Sequence, residues 1–153
     1  MDIPHTAGRI PAHLHSAGVD LVDLGRWERA MRRCGDALAR RYFTPQERRT
    51  AHERADDGGC SPDEVLGHLF GVKESVVKAM GGLPPGARLA DICVGMPGGD
   101  GDREPWTVHL SGPLVRWAEA EWVGVVDVVG ASARLGDGMA LAWAAARTPG
   151  APS

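Results

Sequence analysis

Between Ser61 and Gly82 the chain carries the signals of one long helix with a stop at each end. Ser61 can cap it, Pro62 suits the first helical position, and Asp63 and Glu64 fall in the first turn. Val65, Leu69, Val72, Val76 and Met80 then recur at helical spacing. Gly81-Gly82 ends the pattern, and Pro84-Pro85-Gly86 prevents its continuation. A helix with one apolar face must lie against something, and the flanking sequence supplies candidates.

Residues 17–24 (AGVDLVDL) read as a strand, and Gly25 breaks it before an Arg-rich helical stretch to Arg33. Gly35-Asp36 makes a turn, and a short helix is expected over 37–42. Thr44-Pro45-Gln46-Glu47 is a capping-box helix start, and Asp56-Asp57-Gly58-Gly59 ends that helix. Beyond the long helix the chain reads as β-rich. Strands are expected at 88–94 and 106–110, separated by a Gly-rich loop over 96–104. A helix runs from Ser111-Gly112-Pro113 to about residue 121. Two further strands, 124–133 and 139–146, are joined by a turn at Gly136-Asp137-Gly138. The second is so rich in Ala that a helix competes there. Residues 1–16 and 148–153 read as irregular tails, leaving one domain over 17–147.

No apolar run approaches the roughly 20 residues that span a bilayer, and residues 1–16 hold no apolar signal core. A soluble cytoplasmic protein is expected, with no membrane role. Cys34, Cys60 and Cys93 are odd in number and form no CxxC pair, which fits free thiols in a reducing compartment. A net charge of −3 argues against general nucleic-acid binding. The charge is uneven, since residues 26–54 hold nine arginines and no lysine. Such a stretch is either a set of solvated helix faces or a docking surface for an acidic partner.

Of 17 basic residues only Lys73 and Lys78 are lysines, and both flank Glu74 in the long helix. Glu74 and Lys78, four apart, share a helix face. That is a routine surface pair, or, with Lys73, a site for Mg²⁺ and phosphate: carboxylate for the hard cation, ammonium for phosphate oxygens. Asp20 interrupts an apolar strand, which requires it to be paired, exposed or metal-bound. Asp23, on the opposite strand face, reads as solvent-facing. His13 and His15 fall in the expected tail. His68 follows Glu64 by one turn with no third metal ligand in reach, and Ser132 has no base nearby in sequence.

Four segments together resemble holo-acyl-carrier-protein synthase, the small bacterial type of 4′-phosphopantetheinyl transferase. They are Gly18-Val19-Asp20-Leu21-Val22-Asp23-Leu24 with Arg26, then Arg41-Tyr42-Phe43-Thr44-Pro45-Gln46-Glu47. The most specific is Phe70-Gly71-Val72-Lys73-Glu74-Ser75-Val76-Val77-Lys78-Ala79-Met80-Gly81. The last is Pro105-Trp106-Thr107-Val108-His109-Leu110-Ser111-Gly112. The resemblance implies an α+β fold, a single small domain with an antiparallel sheet packed against helices, assembled as a homotrimer with sites between protomers. It implies a reaction in which a serine of an acyl carrier protein, an acidic helical bundle, attacks the phosphorus of coenzyme A that bears pantetheine. Adenosine 3′,5′-bisphosphate leaves. Asp20 and Glu74 would be the Mg²⁺ ligands. Lys78 would hold coenzyme A phosphate, and Lys73 would support phosphate binding or the fold. Arg26, Arg29, Arg32 and Arg33 would dock the carrier. The family's Ser-x-Ser-His strand is only partly kept: Ser132 matches the first serine, while Arg134 and Leu135 replace the second serine and the histidine. Ser132 and Arg134 are expected at the coenzyme A site, with Arg134 as a substitute cation. Two outcomes stay open: an active transferase, or a weakened or inactive member that binds carrier protein or acts on a carrier-bound acyl chain.

Overall fold

The helix announced at Ser61 is α4, Pro62–Met80, and the rest of the chain is arranged around it. The structure, a computed structural model, describes residues 13–98 and 104–149. Expectations for residues 1–12, for 99–103 of the Gly-rich loop and for 150–153 lie outside the described residues.

In chain order the elements are β1 (Leu14–Asp23), α1 (Leu24–Cys34), α2 (Asp36–Tyr42), α3 (Pro45–Gly58), α4, β2 (Ile92–Gly95), β3 (Trp106–Leu110), α5 (Pro113–Glu121), β4 (Asp127–Arg134) and β5 (Met139–Arg147). The strands form one antiparallel sheet in the order β1-β5-β4-β3-β2. Helix α4 packs against β1, β5, β4 and β2, so the core lies between helix and sheet. Leu69, Val72 and Val76 are fully buried there, facing Ala140, Ala142, Ala144 and Ala146 of β5. This is the expected α+β architecture.

The competition between helix and strand at 139–147 is settled by pairing. β5 bonds β1 on one side and β4 on the other along nearly its whole length. Its alanines are small because α4 lies close above them. Because β5 reaches Arg147, β1 has partners upstream of residue 17: Leu14 pairs with Arg147 and Ser16 with Ala146. Ser16 Oγ also donates to Ala79 O at 2.5 Å. The expected boundary of the tail therefore moves back, and His15 is a strand residue. The stretch 88–94 divides into a 3₁₀ turn, Leu89–Asp91, and β2. Asp23 is exposed as expected, but it also caps α1, its Oδ1 accepting from Arg26 N at 2.9 Å. The Thr44–Glu47 capping box forms at the start of α3.

The outer face of the sheet is apolar where no helix covers it. Val19, Leu21, Leu141 and Trp143 are exposed. Val19 pairs with Trp143 and Leu21 with Leu141, so the four form one patch. Among the described residues, no helix is long and apolar enough to cross a membrane.

Candidate functional site

Small residues four apart let α4 settle onto the sheet. Gly67, Gly71, Ser75 and Ala79 form a stripe along the helix, and all are buried. A Cβ at Gly71 would come within 2.9 Å of Ala142 Cβ and of Val22 Cγ2. A Cβ at Gly18 would overlap the Ser75 carbonyl. Gly18, Asp20 and Val22 share the inner face of β1. The close approach at Gly18 and Gly71 therefore brings Asp20 under the flank of α4 that carries Glu74 and Lys78.

Lys78 Nζ donates to Asp20 Oδ1 at 2.7 Å and to Val19 O at 3.0 Å. The ion pair expected within the helix is thus formed across to the strand instead. Glu74 is half-buried, and burial holds its carboxyl above the usual range; the charge of Asp20 adds to this and Lys78 opposes it. The Asp20 charge acts on Glu74, and two carboxylates that repel each other are an arrangement that a cation relieves. The donor set is oxygen only and supplies two ligands, which suits Mg²⁺, a cation that completes its shell with water and phosphate oxygens. No cluster of three or more His, Cys, Asp or Glu side chains that could hold a metal ion occurs among the described residues, so water or ligand oxygens would have to complete the shell of a cation here. Beside Glu74 opens a cleft of about 410 Å³ lined by Arg41, Tyr42, Val77, Leu83 and Arg88. Two arginines at the rim of a partly apolar cleft fit a phosphate-bearing ligand. Arg41 and Arg88 come from separate elements, and no spacing in the sequence links them to Glu74.

Lys73 does not join this site. It is fully buried, and its Nζ lies 2.6 Å from Ile92 O, 2.8 Å from Glu47 Oε1, 2.9 Å from Tyr42 O and 3.0 Å from Leu89 O. Burial pulls its pKa down, and Glu47 works against that shift. The second Glu47 oxygen accepts from Val94 N at 3.0 Å. The ammonium has no reach left for a phosphate, so its grouping with the phosphate-binding residues is corrected. It ties α2, α3, α4 and β2 together.

Ser132 and Arg134 lie on the other flank of α4. Asp20, Ala142 and Ser132 sit in register across β1, β5 and β4, about 10 Å from first to last. Gly71 rests on Ala142 between them. Within one chain, therefore, neither Ser132 nor Arg134 joins Asp20 and Glu74. Arg134 instead pairs with Glu64 Oε1 at 2.7 Å. Ser132 does have an imidazole beside it, contrary to expectation: His68 Nδ1 lies 2.6 Å from its Oγ, and Nε2 faces Glu64 at 3.9 Å. Burial lowers the His68 pKa, with Glu64 opposing. The two residues are 64 positions apart, and only the sheet-on-helix packing joins them.

The model of the 4′-phosphopantetheinyl transferase superfamily matches residues 16–93, just over half of the chain. That stretch holds Asp20, Glu74 and Lys78 in the geometry above. The chain belongs to this superfamily. Among curated relatives, the holo-[acyl-carrier-protein] synthase of Paramagnetospirillum magneticum is 37% identical over 95 residues, 62% of this chain and 66% of the relative. The chain spans a little under two thirds of the first such relatives' length. The crystal structure of holo-[acyl-carrier-protein] synthase from Neisseria meningitidis superposes with a TM-score of 0.68 at 24% identity, covering 88% of this chain and 99% of that one. An ACPS–CoA complex from Chronobacterium ammoniagenes does so with a TM-score of 0.63 at 24% identity, covering 88% and 97%. These two likenesses establish the fold.

The arginines of α1 divide into two groups by the face they occupy. Leu24, Trp27 and Met31 form the buried face of α1. At about 100° per residue, Arg26, Arg29 and Arg33 fall together on the opposite face. All three are exposed. Arg32 is turned away from them into a cleft formed with α3 and α4.

Proposed function

We propose that this chain transfers 4′-phosphopantetheine from coenzyme A to a serine of an acyl carrier protein, with Mg²⁺ as cofactor. The observation that carries the reading is the Asp20–Glu74–Lys78 cluster, on the motif stretch of the superfamily, with Glu74 lining a cleft that also holds two arginines. Asp20 and Glu74 would hold Mg²⁺, which would draw charge from the diphosphate. Lys78, already on Asp20, is free enough to swing to a phosphate oxygen, since its side chain is 53% exposed. Arg41 and Arg88 would hold further phosphate, and Val77 and Leu83 give the cleft its apolar wall. The carrier's serine oxygen forms a bond to the phosphorus that bears pantetheine. The bond from that phosphorus to the bridging oxygen breaks, and adenosine 3′,5′-bisphosphate leaves with the electron pair; the serine proton passes to solvent or a phosphate. The chain's share is positioning and charge neutralisation. Arg26, Arg29 and Arg33 would meet the acidic carrier.

We also infer a homotrimer working in the cytoplasm. The apolar patch of Val19, Leu21, Leu141 and Trp143 supports an interface between copies, and the free cysteines fit a reducing compartment. A second reading, a carrier-binding module without transfer, is favoured by one observation: Leu135 stands exposed where the family implies a histidine. Mass spectrometry of an apo carrier protein incubated with coenzyme A and Mg²⁺ separates the two. Transfer adds one phosphopantetheine, and Asp20→Ala or Glu74→Ala abolishes the gain. A carrier complex weakened by Arg29→Glu, with no mass gain for any of several carriers, would establish the second reading.

A further inference from the structure

A second cleft, of about 680 Å³, shares no lining residue with the one beside Glu74. It lies between the end of α1 and the first turns of α3 and α4. Arg48 sets its chemistry. This residue follows the buried Glu47 on α3, and its Nε is shut off from solvent with no hydrogen-bond partner among the described residues. A buried donor without an acceptor is costly and calls for a reason. Arg32 of α1 and Arg49 and His52 of α3 line the same cleft. Among the described residues, the side chains of Arg32 and Arg48 form no ion pair. Asp36 and Asp63 are the acidic groups at the wall, and Asp36 is already engaged by Arg40 at 3.6 Å. Met31, Ala39 and Leu66 give the cleft an apolar floor.

We propose that this cleft binds a small organic oxyanion: a phosphate or carboxylate head taken by Arg48 and Arg32, on an apolar body laid against Met31 and Leu66. A planar guanidinium offers paired donors to either head. The volume is that of a small-molecule site and exceeds what a bare phosphate fills. The charges of Arg32 and Glu28 both act on Asp63; Arg32, Arg48 and Arg49 still outnumber Asp36 and Asp63 along the lining, which leaves the cleft basic. Such binding is independent of whether Asp20 and Glu74 hold a metal.

The test is a titration of the ¹⁵N-labelled chain with hexyl phosphate and with hexanoate. It follows the Arg48 Nε–H signal and the Trp27 indole, whose Nε1 donates to Asp63 O at 2.8 Å at the edge of the cleft. At least one of the two should give saturable shifts at both signals, and their relative affinities tell which head is preferred. Inorganic phosphate, the head alone, should bind about tenfold more weakly or worse, and hexanol, the body alone, should leave both signals unmoved. Arg48→Met and Arg32→Gln should each weaken binding by about tenfold. Arg32 is exposed, so Arg32→Gln decides the matter if Arg48→Met fails to fold. No saturable shift with either anion, equal binding by folded Arg32→Gln, or hexanol binding as well as the anions would overturn the proposal.

Discussion

Glu74, Lys73 and Lys78 stand within six residues of one another and do three different jobs. Position on the helix decides them: Glu74 and Lys78 flank the stripe that meets the sheet, while Lys73 points to the side covered by α3 and β2. Sequence put the Glu74 carboxylate and the Lys78 ammonium on one helix face, because spacing along a helix is local, but not the partner Lys78 takes, Asp20 on β1. It did not show which lysine is buried, because Glu47, Ile92 and Leu89 approach Lys73 from distant segments. His68 beside Ser132 escaped notice for the same reason. The burial of Lys73 yields a direct expectation. Lys73→Met removes one member of a buried pair and strands the Glu47 carboxylate, so stability should fall by about 3–5 kcal/mol. Urea denaturation measures the loss, and adding Glu47→Gln should restore part of it, since no buried charge then remains unpaired.

Among the elements, α4 and β1 form the unit on which the site depends. The helix limits were legible because Ser61, Pro62 and Gly81 are local signals, as was the capping box at Thr44. The start of β1 was not, because Leu14 and Ser16 are strand residues only by virtue of their partners on β5. The same is true of β5, whose alanines by themselves leave helix and strand in balance. The stripe Gly67, Gly71, Ser75 and Ala79 sets the separation of helix and sheet, and with it the approach of Glu74 to Asp20. Gly71→Ala puts a methyl 2.9 Å from Ala142 Cβ and Val22 Cγ2. Overpacking of this kind costs about 1–3 kcal/mol. The melting temperature should drop accordingly, and Mg²⁺ affinity measured by calorimetry should weaken in the folded variant. Gly67→Ala clashes instead with Trp27 Cδ1 at 2.8 Å, nearer α1, and should spare the metal affinity more than Gly71→Ala does.

Among the described residues, one face of the sheet is bare at its apolar patch and one face of α1 is basic. The strand reading of 17–24 put Asp20 and Asp23 on opposite faces of β1, but the outer apolar patch was not legible, because it is completed by Leu141 and Trp143 from β5. A homotrimer built on that face should show three times the chain mass in light scattering, and Leu21→Asp, which puts a charge into the patch, should give the monomer. The arginines 26, 29 and 33 lie elsewhere and should stay available to an acidic partner in either state.

The central claim is that Asp20 and Glu74 together hold the Mg²⁺ that supports phosphopantetheine transfer. A Mg²⁺ titration of the transfer rate, followed by mass spectrometry of the carrier in the wild-type chain and in Glu74→Gln, tests it most directly. The expected result is no transfer in EDTA, a saturable rise with Mg²⁺ in the wild type, and a midpoint shifted upward by about tenfold or more in Glu74→Gln. Undiminished transfer in EDTA, or the same Mg²⁺ midpoint in both proteins, would contradict it.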